Sequence, residues 1–173
     1  MQMLATQRPM KRDIMQRINL KLFYTSLAVA LICQMLPWSG LALLIRPDFV
    51  LLTVIFWVLR VPKVCNIGTA WFAGLVIDLI SGDVFGQNAM AYAITAFFAV
   101  IYQRRLILFT IWQQTTYVFL LLVLNQTTLF VLKLMSGGEF PGWIYFAPCV
   151  TGIIIWLFIA FTNYGLHAHP NKN

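Results

Sequence analysis

The stretch RPDFVLLTVIFWVLRVPK, Arg46 to Lys63, decides the fold, because whether it crosses a membrane sets the orientation of everything on either side. Its apolar centre, Phe49 to Leu59, is short. Even from Asp48 to Val61 a helix rising ~1.5 Å per residue reaches only ~21 Å, against a hydrocarbon core of ~30 Å. Five further apolar runs surround it: Leu22 to Trp38, Val64 to Ile80, Ala89 to Tyr102, Thr115 to Leu134 and Ala147 to Thr162. None alternates polar with apolar as barrel strands do; Leu27 to Leu31 and Val118 to Leu124 are unbroken, so the runs read as helices.

Composition supplies the solvent for those helices. The chain is 61% hydrophobic and 10% charged, whereas soluble domains carry roughly a quarter charged residues. In lipid the limit on apolar content disappears, and each backbone polar group is instead paired within its helix. Charge then resolves the short run, because lysine and arginine in short loops stay cytoplasmic. With six spans and a cytoplasmic N-terminus, Arg8, Lys11, Arg12, Arg17, Lys21, Arg60, Lys63, Arg104, Arg105 and Lys172 fall inside, and only Arg46 and Lys133 fall outside. Deleting the second span would turn Arg60, Lys63, Arg104 and Arg105 outward, or invert the N-terminus. The run is therefore kept, with Arg60 snorkelling and the bilayer locally thinned.

The expected fold is an all-α membrane protein with six transmembrane helices in one bundle and both termini cytoplasmic. Residues 1–21 form a basic tail, 22–163 the transmembrane domain, and 164–173 a second tail. The spans lie at about 22–38, 48–61, 64–80, 87–103, 114–135 and 146–163. The first run exceeds the ~7–15 residues of a signal core, and Pro37 to Gly40 lack a small-x-small cleavage pattern, so it reads as an uncleaved anchor. Arg104 to Gln114 reads as an interfacial lead-in anchored by Trp112, because a helix over all of Leu106 to Met135 would be ~45 Å long. Ser136 to Gly142 is a turn-rich outer loop, followed by Trp143, Tyr145 and Phe146 at the level of an aromatic belt.

Asp78 is the one acid well inside a span. At the span centre an ionised aspartate costs ~2.5–3.5 kcal/mol on insertion scales, so it faces the bundle and finds a partner. Its role is either a structural pair, for which Arg46 on the same outer side is the candidate, or a proton relay, ligand contact or partner contact. Ala70, Gly74, Asp78 and Gly82 recur every four residues, with Gly86 four further on. Small residues at this spacing let helices approach, within one chain ahead of a homo-oligomeric seam. Pro47 suits a helix start, and Asp48 in the first turn would meet the positive end of the helix dipole. Asn125, Gln126, Thr127 and Thr128 in the fifth span would glue helices or line a small cavity.

Catalytic groups are missing. His167 and His169 both lie in the C-terminal tail, which leaves no intramembrane histidine for a metal, and one carboxylate in the spans gives no acid and base pair. There is no G-x-S-x-G serine and no phosphate-binding glycine loop. Cys33, Cys65 and Cys149 are too scattered for a disulfide framework or zinc site and read as packing residues. No enzyme activity, cofactor, metal or nucleic-acid partner is expected; membrane lipid is the certain neighbour.

The motifs occur in a telling order: Gln34 to Trp38 closing the first span, Arg46-Pro47-Asp48, Asn66-Ile67-Gly68, Gly74, Asp78-Leu79-Ile80-Ser81-Gly82, Gly86, then Trp112-Gln113-Gln114. The combination, over roughly residues 20 to 163, resembles the MreD family of bacterial rod shape-determining proteins. The N-terminal extension through Arg17 diverges, and Asn125 and Gln126 stand near a place that can be acidic in relatives. The resemblance implies a non-catalytic scaffold of the cell-elongation machinery in the cytoplasmic membrane. It would contribute to lateral peptidoglycan synthesis by binding MreC, near RodA, its class B penicillin-binding transpeptidase and the MreB filament. Arg46, Pro47, Asp48, Gly74, Asp78, Gly82 and Gly86 would then shape the partner interface or a structural polar cluster. The family fold resembles the substrate-binding subunits of vitamin transporters, so the alternative is a small-solute binding or transport subunit.

Overall fold

The computed structural model describes residues 20–37, 40, 45–61, 64–82, 84–106, 110–137 and 142–167. The basic tail through Arg17, Trp38, Lys63, Gly138 to Pro141 and the tail from Ala168 lie outside the described residues. Within them the chain is all-helical, without a strand: α1 (Leu20–Met35), α2 (Phe49–Arg60), α3 (Ile67–Ser81), α4 (Gln87–Leu106), α5 (Ile111–Met135) and α6 (Ala147–His167). A 3-10 turn, Trp143–Phe146, leads into α6.

The short helix is the hub. Val50, Leu51, Leu52, Val54, Ile55, Trp57, Val58 and Leu59 of α2 are all buried, and a helix that is hydrophobic all round belongs inside a larger body. This also accounts for its length: a helix jacketed by its neighbours need not match the thickness of the surrounding medium. α1 packs on it through Phe23, whose ring meets Trp57 edge to face at 5.8 Å, and through the Trp57 indole, which donates to Ser26 Oγ at 2.9 Å. α6 approaches from another side, with Trp156 edge-on to Phe56 at 6.4 Å. Its Thr151 hydroxyl donates to the Ile45 carbonyl at 2.7 Å, which fixes the chain entering α2.

Helix boundaries follow the capping chemistry more than the apolar runs. α3 starts at Ile67, inside the run that begins at Val64, because Asn66 Oδ1 accepts from the Gly68 and Thr69 amides while Thr69 Oγ1 accepts from the Asn66 amide. That reciprocal arrangement satisfies donors that the first turn of a helix leaves bare. α5 starts at Ile111, where Gln113 Oε1 accepts from the Thr110 amide at 3.1 Å. Trp112, expected in an interfacial lead-in, therefore stands in the first turn of α5, with 72% of its surface exposed. α6 runs to His167, past the expected boundary at 163.

The outer surface is apolar. Phe72, Leu79, Phe85, Leu120, Val150, Ile154, Phe158 and Phe161 are each more than half exposed. α5 and Ile144–Thr162 are long and apolar enough to cross a membrane, yet only 22% and 17% of their most apolar windows are buried. Large exposed apolar surfaces mark places where a protein meets a membrane or a partner.

Removing the α3 cap tests the boundary argument. Asn66→Ala is expected to lower stability by about 1 kcal/mol in reversible detergent unfolding, with helical circular dichroism reduced by no more than one turn.

Candidate functional site

The only two acids among the described residues, Asp48 and Asp78, converge on the first turns of α4. Asp78, near the end of α3, is 1% exposed. Its Oδ1 accepts from the Asn88 amide and the Asn88 side-chain amide, both at 2.9 Å, and its Oδ2 from the Gly86 amide at 3.0 Å and the Ala89 amide at 3.1 Å. Each oxygen thus meets two donors, and the carboxylate acts as acceptor only. The groups it satisfies are the bare N–H groups that open a helix. An aspartate at the cap position normally does this for its own helix. Here the preceding helix supplies it.

The glycines explain how a side chain from α3 can serve as the cap of α4. A Cβ on Gly74 would stand 2.5 Å from the Asn88 carbonyl oxygen and 2.6 Å from the Ala89 Cα, distances that backbone cannot yield. Gly74 therefore lets the α4 backbone lie directly on α3, one turn from Asp78. Ala70 and Ala73, earlier on α3, are also buried, at 0% and 3% exposure. Gly82 and Gly86, which share the four-residue spacing, serve a different purpose: a Cβ on either would meet nothing within 4 Å, but their φ angles are +68° and +96°. Gly82 ends α3 in the left-handed conformation, its amide donating to the Asp78 carbonyl at 3.2 Å. Asp78 thus closes one helix with its backbone and opens the next with its side chain.

Asp48 sits at the cap position of α2, just before the first turn where it was expected, and its Oδ1 accepts from the Leu51 amide at 2.9 Å. Its Oδ2 accepts from the hydroxyl of Tyr92, a residue with no exposed surface one turn along α4 from Asn88. Asn88 and Tyr92 thus tie the same face of α4 to α3 and α2. The expected Arg46–Asp78 pair does not form. Arg46 Nη1 donates to the Gln34 carbonyl at 2.9 Å, joining the start of α2 to the end of α1, while the donors on Asp78 come from α4. Pro47, between Arg46 and Asp48, is buried.

In α5, Gln126 Nε2 donates to the Tyr145 carbonyl at 2.8 Å. Thr127 and Thr128 return their hydroxyls to the Val123 and Leu124 carbonyls of the same helix, and Asn125 is 2% exposed with Oδ1 unpartnered. Glue between helices is thus confined to Gln126. Cys65 and Cys149 are buried and Cys33 half-buried, and none of the three is in a disulfide. Among the described residues no three histidine, cysteine or acidic side chains come together to hold a metal. What the polar cluster does is organise three helices around one helix start.

Sequence reasoning singled out Asp78 and Gly74 but missed Asn88 and Tyr92. A polar residue six positions after Gly82 of the Ser81-Gly82 turn, followed one helical turn later by tyrosine, was the available signal.

The profile of a family described as rod shape-determining protein MreD matches residues 15–163. The chain is similar to the rod shape-determining protein MreD of Haemophilus influenzae, 24% identical over 147 residues, covering 84% of this chain and 88% of that protein. No solved structure matches.

The cap and the close approach make separable predictions. Gly74→Ala is expected to cost about 3 kcal/mol, the upper end of overpacking because the obstruction is backbone. Gly82→Ala is expected to cost ~1–2 kcal/mol for the left-handed backbone alone. Asp78→Ala should cost at least as much as Gly74→Ala, since each stranded buried donor is worth ~1–3 kcal/mol. The double variant should lose less than the sum. Equal losses for the two glycine variants in detergent unfolding would contradict the distinction between them.

Proposed function

The chain belongs to the MreD family of rod shape-determining proteins, and from that premise we propose that it is a non-catalytic, six-span scaffold of the bacterial inner membrane that holds MreC. Both termini face the cytoplasm in this reading. Through MreC the chain serves the elongation complex that contains RodA, a class B penicillin-binding transpeptidase and the MreB filament, and so lateral peptidoglycan synthesis and cell shape.

The observation that carries the reading is the inverted distribution of polarity. The two described acids are turned inward onto helix caps, while large apolar side chains of α3, α5 and α6 face out. A body of this kind meets its partners through apolar helix faces within lipid, by close packing more than by charge. It also changes what the site residues contribute. Asp78 and Gly74 are covered by α4, so they shape the interface indirectly, by holding α3, α4 and α2 in register. For the vitamin-transporter alternative, Gln126 of the fifth helix is engaged by the Tyr145 carbonyl and is not open to a solute.

Two experiments test the proposal. Reporter fusions after Lys21, Lys63, Arg105 and Lys172 should read cytoplasmic, and fusions near Arg46 and Lys133 periplasmic; a cytoplasmic signal near Arg46 would remove α2 from the spans. MreC should co-purify with the solubilised chain, and Asp78→Ala should reduce its recovery only in proportion to the loss of folded protein. A folded, monodisperse Asp78→Ala variant that no longer retains MreC would instead make Asp78 a direct contact.

A further inference from the structure

Two volumes that the polar cluster does not use lie end to end along α2. The larger is an open groove of about 650 Å³ between α1, α2 and α6, walled by Val29, Ala30, Leu52, Phe56, Ile155 and Ile159. Its size is that of a small-molecule site, ~300–1,000 Å³, and its lining is almost wholly apolar. The smaller is a cavity of about 20 Å³ between the end of α2 and α5 and α6, bordered by Arg60, Gln114 and Trp156. Phe56 and Ile159 line both, so the groove and the cavity adjoin across those two side chains.

The chemistry changes sharply at that junction. Trp156 is 3% exposed, and its indole nitrogen, which can only donate, has no partner in the protein. A buried donor left in this state calls for an occupant. The Arg60 guanidinium lies 4.8 Å from the centre of the Phe56 ring, at the wall shared by the two volumes. Asp48 and Asp78, the two described acids, are engaged at the other end of α2 and on α4, so Arg60 faces no described carboxylate. Guanidinium, indole N–H and carboxamide together offer donors to oxygen, and arginine matches the geometry of phosphate.

The dimensions suit one kind of occupant. From Phe49 to Arg60 the helix rises ~18 Å, long enough for an acyl chain, which occupies ~15 Å of a ~30 Å hydrocarbon core, to lie along it. The cavity admits a single oxygen-sized group, which leaves the rest of a headgroup at the open mouth beside the exposed Arg60. We propose that groove and cavity together bind one anionic phospholipid, its acyl chain along α2 between α1 and α6 and its phosphate oxygens on Arg60, Gln114 and Trp156. This rests on the membrane-embedded reading above, but on none of the protein partners named there. A transmembrane helix is the competing occupant of the groove; it leaves the donors beyond Phe56 unexplained, whereas an amphiphile uses both ends.

Native mass spectrometry of the full-length, detergent-purified chain tests this, with phosphatidylglycerol, phosphatidylcholine and inorganic phosphate as probes. Wild type should retain one phosphatidylglycerol through delipidation, hold phosphatidylcholine at least tenfold more weakly, and show no stabilisation by phosphate alone. Arg60→Gln and Trp156→Phe, which keep the bulk of each side chain, should each weaken retention at least tenfold without changing circular dichroism. Lys133→Gln, a cation elsewhere, should leave it unchanged. Equal retention of both lipids, or retention unaffected by the Arg60 and Trp156 variants, overturns the proposal. Stabilisation by inorganic phosphate equal to that by lipid would restrict the site to a free anion and overturn the acyl-chain assignment. A photo-crosslinker at Val29 that captures polypeptide and no lipid in membranes would make the groove a helix-docking face. MreC co-purification, measured in parallel on the same preparations, shows whether a failure belongs to the lipid site or to the scaffold reading.

Discussion

A helix that begins against a neighbouring helix has bare amides that burial cuts off from water unless an acceptor reaches them. In this chain the helix is α4, and Asp78 of α3 supplies what its first turn lacks. Burying a carboxylate costs several kcal/mol, and four hydrogen bonds to a charged acceptor, at ~1.5–3 kcal/mol each, are of the size needed to offset it. The arrangement works only if α3 and α4 nearly touch, which makes Gly74 as necessary as the acid. It also fixes the turn, since Asp78 must end α3 and cap α4 across a few residues, with glycine at the two positive-φ positions.

The rest of the bundle is registered from that start. Once Asn88 is held on Asp78, Tyr92 follows one turn later and reaches Asp48. Asp48 caps α2, the buried hub, and α1 and α6 are then tied to α2 or to its entrance by Trp57, Arg46 and Thr151. The two carboxylates therefore act as fasteners between helices, while large apolar side chains such as Phe72, Leu120 and Phe158 face outward.

Much of this was legible in the sequence. The existence and type of the helices followed from unbroken apolar runs, and the importance of Asp78 from the cost of an acid among them. Its partner was not legible, because the donors are backbone amides of Gly86, Asn88 and Ala89, and backbone carries no letter in a sequence. Charge suggested Arg46 instead, which geometry assigns to the Gln34 carbonyl. The spacing of Gly74, Gly82 and Gly86 was visible, but it merged two physical reasons, close approach at Gly74 and positive φ at the others. The setting of the short second helix was less legible: charge kept it among the expected spans despite its length, but the burial of eight of its 12 residues among neighbouring helices is not written in the run itself.

Hydrogen exchange at the start of α4 tests the central claim most directly. With the protein in lipid nanodiscs, the amides of Gly86, Asn88 and Ala89 should be strongly protected in wild type. In Asp78→Ala they should exchange orders of magnitude faster, while the amides in the middle of α5 and α6 keep their protection. Unchanged protection at those three amides in a folded Asp78→Ala variant would contradict the account, because α4 would then begin without the carboxylate on which its place in the bundle is said to depend.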